Sequence, residues 1–167
     1  YGGPESRAIS NRFAVSDPMT EFGFVKVRID NRGTEGRGKA FEGATYQKLG
    51  LVDLDDQAQG VKTLLERHDW LDPDRVGITG HSYGGYMSAL AVLRHPETFS
   101  VAVAGAPVTD WRNYDTIYTE RYMRTPAENG ENYDAGSCVK LARNLKGEFL
   151  LLHGMVDDNV HPSNAWQ

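Results

Sequence analysis

Residues 76–94 read VGITGHSYGGYMSALAVLR, and this stretch decides the fold. The segment over residues 75–79 predicts a short strand. The segment over residues 84–94 is apolar around most of a helical circumference, which predicts a largely buried helix. Gly80-His81-Ser82-Tyr83-Gly84 lies between them, so the chain passes from strand to helix through one serine with a glycine two places to either side.

This spacing has a physical reason. Where a parallel strand turns sharply into a helix, the residue at the tip is strained and exposed, and its neighbours two places away face each other and must be small. A further glycine, Gly85, lets the helix approach the strand closely. Free amides and the dipole at the helix N-terminus favour a developing oxyanion. We therefore predict that Ser82 is a nucleophile; the alternative is a glycine-rich turn whose serine has no chemical role.

The flanking sequence predicts the fold class. Apart from the central stretch, we expect strands over residues 22–29, 100–105 and 148–153, an amphipathic helix over 53–68, and short helices and loops over 107–146. Strands that alternate with helices are typical of a parallel sheet with helices on both faces. The prediction is an α/β domain.

The partners of Ser82 are sought in the order serine, acid, histidine, which is typical of a strand–serine–helix turn of this kind. Asp157 follows the last predicted strand and is the candidate acid, although the Asp157-Asp158 pair is also compatible with a solvated acidic loop. His161 alone follows Asp157, and four residues are too few for it to arrive from a separate loop. The other histidines lie at helix ends, beside the serine or before the acid (His68, His95, His81 and His153). We therefore expect the catalytic histidine beyond Gln167.

Composition excludes several classes of protein. The 167 residues carry a net charge of −5, which provides no basic surface for nucleic acid. A single cysteine, Cys138, excludes an internal disulfide framework. No apolar run approaches the length of a membrane span. The chain starts without Met and stops in the opening turn of a predicted helix, so we expect a fragment of a longer polypeptide. Open sheet edges and uncovered apolar faces would make such a fragment aggregate, oligomerise or pack loosely when isolated.

Five longer segments carry a family resemblance along the whole chain. They are YGGP, DNRGTEGRG, GHSYGGYMS, APVTDWRNYDTIYTERYM and LLLHGMVDDNVH. The chain resembles the catalytic α/β-hydrolase domain of the prolyl oligopeptidase family, on its dipeptidyl peptidase IV branch. The resemblance implies an incomplete hydrolase fold over residues 1–167, without the family's β-propeller domain and without the terminal segment that carries the histidine.

The resemblance also implies roles for individual residues. Ser82 corresponds to the nucleophile and Asp157 to the acid of a Ser-Asp-His triad. Tyr1 corresponds to a tyrosine whose hydroxyl donates to the oxyanion, together with the backbone N–H of Tyr83. Asn159 corresponds to an asparagine that binds a substrate carbonyl. The proline-accepting apolar pocket corresponds to Tyr114, Tyr118, Trp111, Val108 and Tyr83.

The function implied is a serine exopeptidase that cleaves after Pro or Ala at the second position of a peptide, with no metal or cofactor. This chain alone is expected to be inactive. An acylaminoacyl peptidase or esterase of the same fold, and a non-catalytic fragment, are the alternatives. We expect a homodimeric full-length protein in an extracytoplasmic location (periplasmic, secreted or membrane-anchored) rather than a cytoplasmic one.

Overall fold

A three-stranded parallel sheet lies at the centre of the structure, a computed structural model that describes residues 1–10 and 17–167. The strands are β1 (Gly77–His81), β2 (Val101–Gly105) and β3 (Glu148–Leu152), in the spatial order β1-β2-β3. The α-helices are α1 (Lys39–Glu42), α2 (Val52–Arg67), α3 (Tyr83–Arg94), α4 (Thr116–Met123), α5 (Pro126–Ala135), α6 (Cys138–Leu141) and α7 (Ser163–Trp166). Short 3-10 helices span Pro18–Phe22, Gly43–Thr45, Trp111–Asn113 and Ala142–Asn144.

Helix α3 packs across β1 and β2 and forms the centre of the core. Every residue of α3 from Tyr83 to Leu93 is buried, which confirms the prediction of a buried helix. Ala102 and Ala104 of β2 are completely buried, and their small side chains suit a closely packed helix. Gly85 matters for the same reason, because a Cβ at this position would overlap the carbonyl oxygen of Gly105.

The opposite face of the sheet is open to solvent. Val101 of β2 is 39% exposed, and Leu150 and Leu152 of β3 are 52% and 53% exposed. The predicted α/β class and parallel strands are confirmed. The side that faces α3 is therefore the side of the main core.

The remaining helices follow the predicted pattern. Helix α2 begins and ends one residue before the predicted bounds, and the stretch after β2 consists of short helices and loops. Helix α5 begins with a capping box, in which the side chain of Glu128 accepts from the backbone N–H of Thr125. Within the described ranges, no helix combines the length and the apolar character needed to cross a membrane.

The strand predicted over residues 22–29 is wrong. A 3-10 helix ends at Phe22, Gly23 takes a left-handed conformation with φ of 80°, and residues 24–29 belong to no helix or strand. Alternating apolar residues favour extended backbone, but a strand forms only where a neighbouring strand completes the hydrogen-bond ladder. In the described part of the chain no strand lies beside this segment. Instead it runs along α2, where Gln57 Nε2 donates to the Ile29 carbonyl at 2.8 Å.

Candidate active site

Ser82 lies at the tip of the turn between β1 and α3. Its backbone has φ of 58° and ψ of −118°, a strained conformation for a residue with a side chain. Its N–H donates to the Gly105 carbonyl at 2.9 Å, which ties the turn to β2. A Cβ on Gly80 would lie 2.5 Å from the carbonyl carbon of Gly84, so the expected close approach of the two flanking glycines is present. The serine side chain is half-buried at the carboxyl edge of the sheet.

Two predicted oxyanion donors flank this turn. Tyr83 is the first residue of α3, so its backbone N–H belongs to the helix turn whose amides have no partner within the helix. The ring of Tyr1 lies 5.8 Å from the ring of Tyr83, measured between centroids. A Cβ on Gly84 would lie 3.2 Å from the Cα of Tyr1, so the N-terminal loop packs directly on the serine turn. The fold therefore brings together the three residues Tyr1, Ser82 and Tyr83.

Asp53 is a site residue that sequence reasoning missed. It lies in the first turn of α2, is completely buried, and accepts a hydrogen bond of 2.5 Å from the hydroxyl of Tyr83. Burial raises the pKa of Asp53 to about 6, and burial with the adjacent Asp53 raises the pKa of the Tyr83 phenol well above its usual value. The sequence offered one sign that Asp53 is buried, because it adjoins Leu54 on the apolar side of the helix.

The residues predicted to form the proline pocket lie in one aromatic cluster. The ring centroid of Trp111 lies 5.5 Å from that of Tyr83, 5.9 Å from Tyr114 and 5.8 Å from Tyr118. Val108 and Trp111 are each 2% exposed, whereas the two tyrosines are half-buried. Tyr114 and Tyr118 therefore form the accessible side of the cluster, whereas Trp111 and Val108 belong to the buried core.

Asp157 lies in the loop that follows β3. Its Oδ1 accepts from the backbone N–H of Val160 at 2.9 Å and of Asn159 at 3.0 Å. The Val160 hydrogen bond, followed by that of Asn159 and the charges of His153 and His81, lowers the pKa of Asp157. An ionised carboxylate is the form that orients a histidine.

Asn159 is held by one of the pocket tyrosines. The hydroxyl of Tyr114 donates to Asn159 Oδ1 at 2.8 Å. With its oxygen engaged, the side-chain amide of Asn159 retains its N–H groups as donors. The Asn159 side chain is exposed, so these donors are accessible to a carbonyl of a bound molecule.

Four of the five histidines of the chain have contacts away from the Ser82 hydroxyl. His153 Nε2 contacts the Val160 carbonyl at 2.7 Å and orders the loop after β3, as expected. His161 Nδ1 accepts from the backbone N–H of Ser163 at 3.2 Å, and its ring packs against Trp166. His95 pairs with Asp55 and Glu97, and His68 packs on Trp70. Among the described residues, no histidine nitrogen lies within hydrogen-bond distance of the Ser82 hydroxyl.

The arrangement resembles the nucleophile and acid positions of an acyl-transfer site. Ser82 directly follows β1, and Asp157 lies in the loop after β3. Because β1 and β3 run parallel on either side of β2, both residues come after the carboxyl ends of their strands. Within residues 1–10 and 17–167, no three His, Cys, Asp or Glu side chains gather in a way that would hold a metal ion.

A family model described as "Prolyl oligopeptidase family" matches residues 10–167. The chain belongs to the prolyl oligopeptidase family. Its similarity extends to solved structures: the crystal structure of Porphyromonas gingivalis dipeptidyl peptidase 4 aligns with a TM-score of 0.93 and 39% identity, over 99% of this chain and 24% of that one. This agreement confirms the predicted α/β-hydrolase fold.

Relatives within the prolyl oligopeptidase family include dipeptidyl peptidases of animals and fungi. The chain is 47% identical to dipeptidyl peptidase 8 of Homo sapiens over 96% of its own length and 19% of that protein. It is 39% identical to dipeptidyl peptidase 4 of Trichophyton equinum over 99% of its length and 22% of that protein. The chain thus spans about a fifth of the length of these relatives.

Proposed function

We propose that this chain forms the nucleophile, acid and oxyanion part of a serine exopeptidase that releases dipeptides after Pro or Ala. The observation that carries the proposal is Ser82, a strained and accessible serine at the end of a parallel strand and the start of a helix. A serine held in this way, with an ionised acid near it, is typical of acyl transfer. The similarity to dipeptidyl peptidases supports the substrate class.

In the proposed reaction the Ser82 hydroxyl oxygen attacks the carbonyl carbon of the peptide bond after the second residue, and its proton passes to a histidine. The hydroxyl of Tyr1 and the backbone N–H of Tyr83 stabilise the negative charge that develops on the carbonyl oxygen. The histidine then protonates the leaving amine, and water hydrolyses the acyl-enzyme by the same steps. Asp157 orients the histidine and stabilises its cationic form.

The aromatic cluster suits proline at the second position. A proline residue has an apolar ring and no amide N–H, so a pocket with aromatic walls selects it with few polar contacts. Tyr114 and Tyr118 offer such walls, and Asn159 offers a donor for a nearby carbonyl. In the proposal, a domain outside this chain binds the free N-terminus of the substrate and so fixes cleavage after the second residue.

We assign the base to a histidine outside residues 1–167, because none of the five histidines, all within the described residues, has a hydrogen bond to Ser82. The proposed protein is homodimeric and extracytoplasmic. Neither assignment affects the chemistry at Ser82.

Hydrolysis of Gly-Pro p-nitroanilide by the full-length protein tests the proposal, with Ser82→Ala as the matched control. We expect activity that disappears in the variant, and little hydrolysis of N-acylated alanine esters or anilides. Preferred hydrolysis of the acylated substrates would instead support an acylaminoacyl peptidase or esterase, and no hydrolysis of either class would support a non-catalytic protein.

The isolated chain provides a second test. We expect residues 1–167 alone to show no Gly-Pro hydrolysis, since no histidine in the described part of the chain hydrogen-bonds to Ser82. Activity of this segment that is lost in Ser82→Ala and in His161→Ala would assign the base to His161 and overturn that part of the proposal.

A further inference from the structure

Helix α2 presents two polar side chains to the elements that carry both proposed oxyanion donors. Asp53 and Gln57 are four residues apart and therefore lie on one face of the helix. Asp53 contacts α3 through Tyr83, whereas Gln57 contacts the loop after residue 29 through Asn31. One helix face thus reaches two separate parts of the site.

The first contact fixes Tyr83. The Oδ2 atom of Asp53 accepts from the Tyr83 hydroxyl at 2.5 Å and from the backbone N–H of Gly50 at 3.2 Å. The rings of Tyr86 and Trp111 lie 5.6 and 5.5 Å from the Tyr83 ring. The Tyr83 phenol is therefore held at its hydroxyl and on the sides of its ring. This anchored side chain in turn restrains the backbone N–H of the same residue.

The hydrogen bond to Tyr83 accounts for an acid that is otherwise unfavourable. Asp53 is completely buried, its Oδ1 has no hydrogen-bond partner among the described residues, and none of the ion pairs among them includes it. A buried carboxylate without a cation destabilises a fold. Residues that weaken the fold in this way are concentrated at functional sites.

The second contact fixes the loop of Tyr1. Gln57 Nε2 donates to Asn31 Oδ1 at 2.8 Å, and Asn31 Nδ2 donates to the Gly2 carbonyl at 2.9 Å. Asn31 is 2% exposed, so water does not compete for these hydrogen bonds. Gly2 has φ of 81°, and a Cβ there would lie 2.8 Å from Asn31 Oδ1, so the loop sits tightly against the amide. Tyr1 directly precedes this anchored residue.

We propose that Asp53 and Gln57 are positioning residues that hold the two oxyanion donors, Tyr83 and Tyr1, in register with Ser82. The inference rests on the proposed function, and neither residue is assigned a contact with substrate. Since oxyanion donors act mainly in the transition state, misplacing them lowers kcat more than it raises KM. A displacement of about 1 Å can reduce the rate about 100-fold.

The kinetic test uses the full-length protein and two matched pairs of variants. Asp53→Asn is compared with Asp56→Asn, because Asp56 lies on the same helix but pairs with Arg32. Gln57→Met is compared with Gln59→Met, whose position is exposed. We expect Asp53→Asn and Gln57→Met each to lower kcat about 10-fold with KM within about 2-fold, and both controls to stay within about 2-fold.

A double-mutant cycle tests whether Asp53 acts through Tyr83. Tyr83→Phe keeps the ring and removes the hydroxyl. If Asp53 acts only through this hydroxyl, the kcat of the double variant Asp53→Asn with Tyr83→Phe should be no lower than the kcat of the less active of the two single variants. Tyr86→Phe is the control for the phenol, because its hydroxyl contacts the carbonyls of Leu49 and Gly136 instead. Fully multiplicative losses would overturn the proposed coupling.

Hydrogen–deuterium exchange provides a readout that does not need activity. Asp53→Asn is expected to raise the amide exchange rate over residues 83–86 about 5-fold or more and to leave residues 1–6 unchanged. Gln57→Met is expected to raise the exchange rate over residues 1–6 about 5-fold or more and to leave residues 83–86 unchanged. Loss of thermal stability with unchanged kcat and unchanged local exchange would overturn the proposal. A wild-type protein that lacks peptidase activity would refute the proposed function alone, and the exchange pattern would still decide whether α2 anchors the two segments.

Discussion

The free energy of unfolding should depend on pH through Asp53, and Asp53→Asn isolates this dependence. The pKa of the buried carboxyl is about 6 in the fold, against 3.8 for the exposed group. Between these values the folded protein binds more protons than the unfolded chain, so stability falls as pH rises through this window. A separation of about two pKa units corresponds to about 3 kcal/mol at pH 7, an order-of-magnitude value.

Thermal or urea unfolding of the full-length wild type and Asp53→Asn at pH 4 to 7 measures this effect, read from the transition that exposes Trp111. Groups other than Asp53 cancel in the difference between the two proteins. We expect the free energy of unfolding of Asp53→Asn to rise relative to wild type by about 2 kcal/mol from pH 4 to pH 7, because the unfolded carboxyl is already partly ionised at pH 4. A constant difference would mean that Asp53 titrates normally, and a fall would mean that the fold stabilises its charge; either result refutes the reasoning.

Three further perturbations test individual parts of the site. Gly80→Ala should destabilise the fold by about 1–3 kcal/mol in urea unfolding and abolish activity, because its Cβ would collide with Gly84. Tyr1→Phe should lower kcat about 100-fold on Gly-Pro p-nitroanilide with little change in KM, because a transition-state donor is removed. Tyr114→Phe should raise KM about 5-fold and spare kcat, because its ring remains while its hydrogen bond to Asn159 is lost.

Matched substitutions keep these results interpretable. Gly130→Ala is the control for Gly80, since a Cβ at Gly130 meets no atom within 4 Å. Tyr46→Phe is the control for Tyr1, because Tyr46 is a partly exposed tyrosine that contacts Arg124. An unchanged kcat in Tyr1→Phe would show that the Tyr1 hydroxyl does not stabilise the oxyanion. An unchanged KM in Tyr114→Phe would show that Asn159 does not contribute to substrate binding.

The centre of the fold could be predicted because its local and long-range requirements coincide. The strand before Ser82 and the helix after it are both apolar, and glycines occur where β1, β2 and α3 approach most closely. Each of these features depends on a few consecutive residues and can therefore be recognised in the local sequence. The loop of Asp157 could be predicted for the same reason, because a parallel strand ends immediately before it.

The errors concern features that depend on distant partners. Residues 22–29 have the alternation of a strand, but pairing depends on a neighbour that local sequence does not specify. Asp53 appears in the sequence as a common acidic residue at a helix start. Its contact with Tyr83 joins residues 30 positions apart and emerges only when α2 packs beside α3.

Reaction of the full-length protein with a fluorophosphonate tests the central claim most directly, because the probe forms a covalent bond only with an activated nucleophile. We expect mass spectrometry of the digested protein to show one adduct per chain on Ser82, and no adduct at this site or another in Ser82→Ala. A folded protein whose Ser82 remains unmodified, or whose adduct lies on a different serine, would contradict the account.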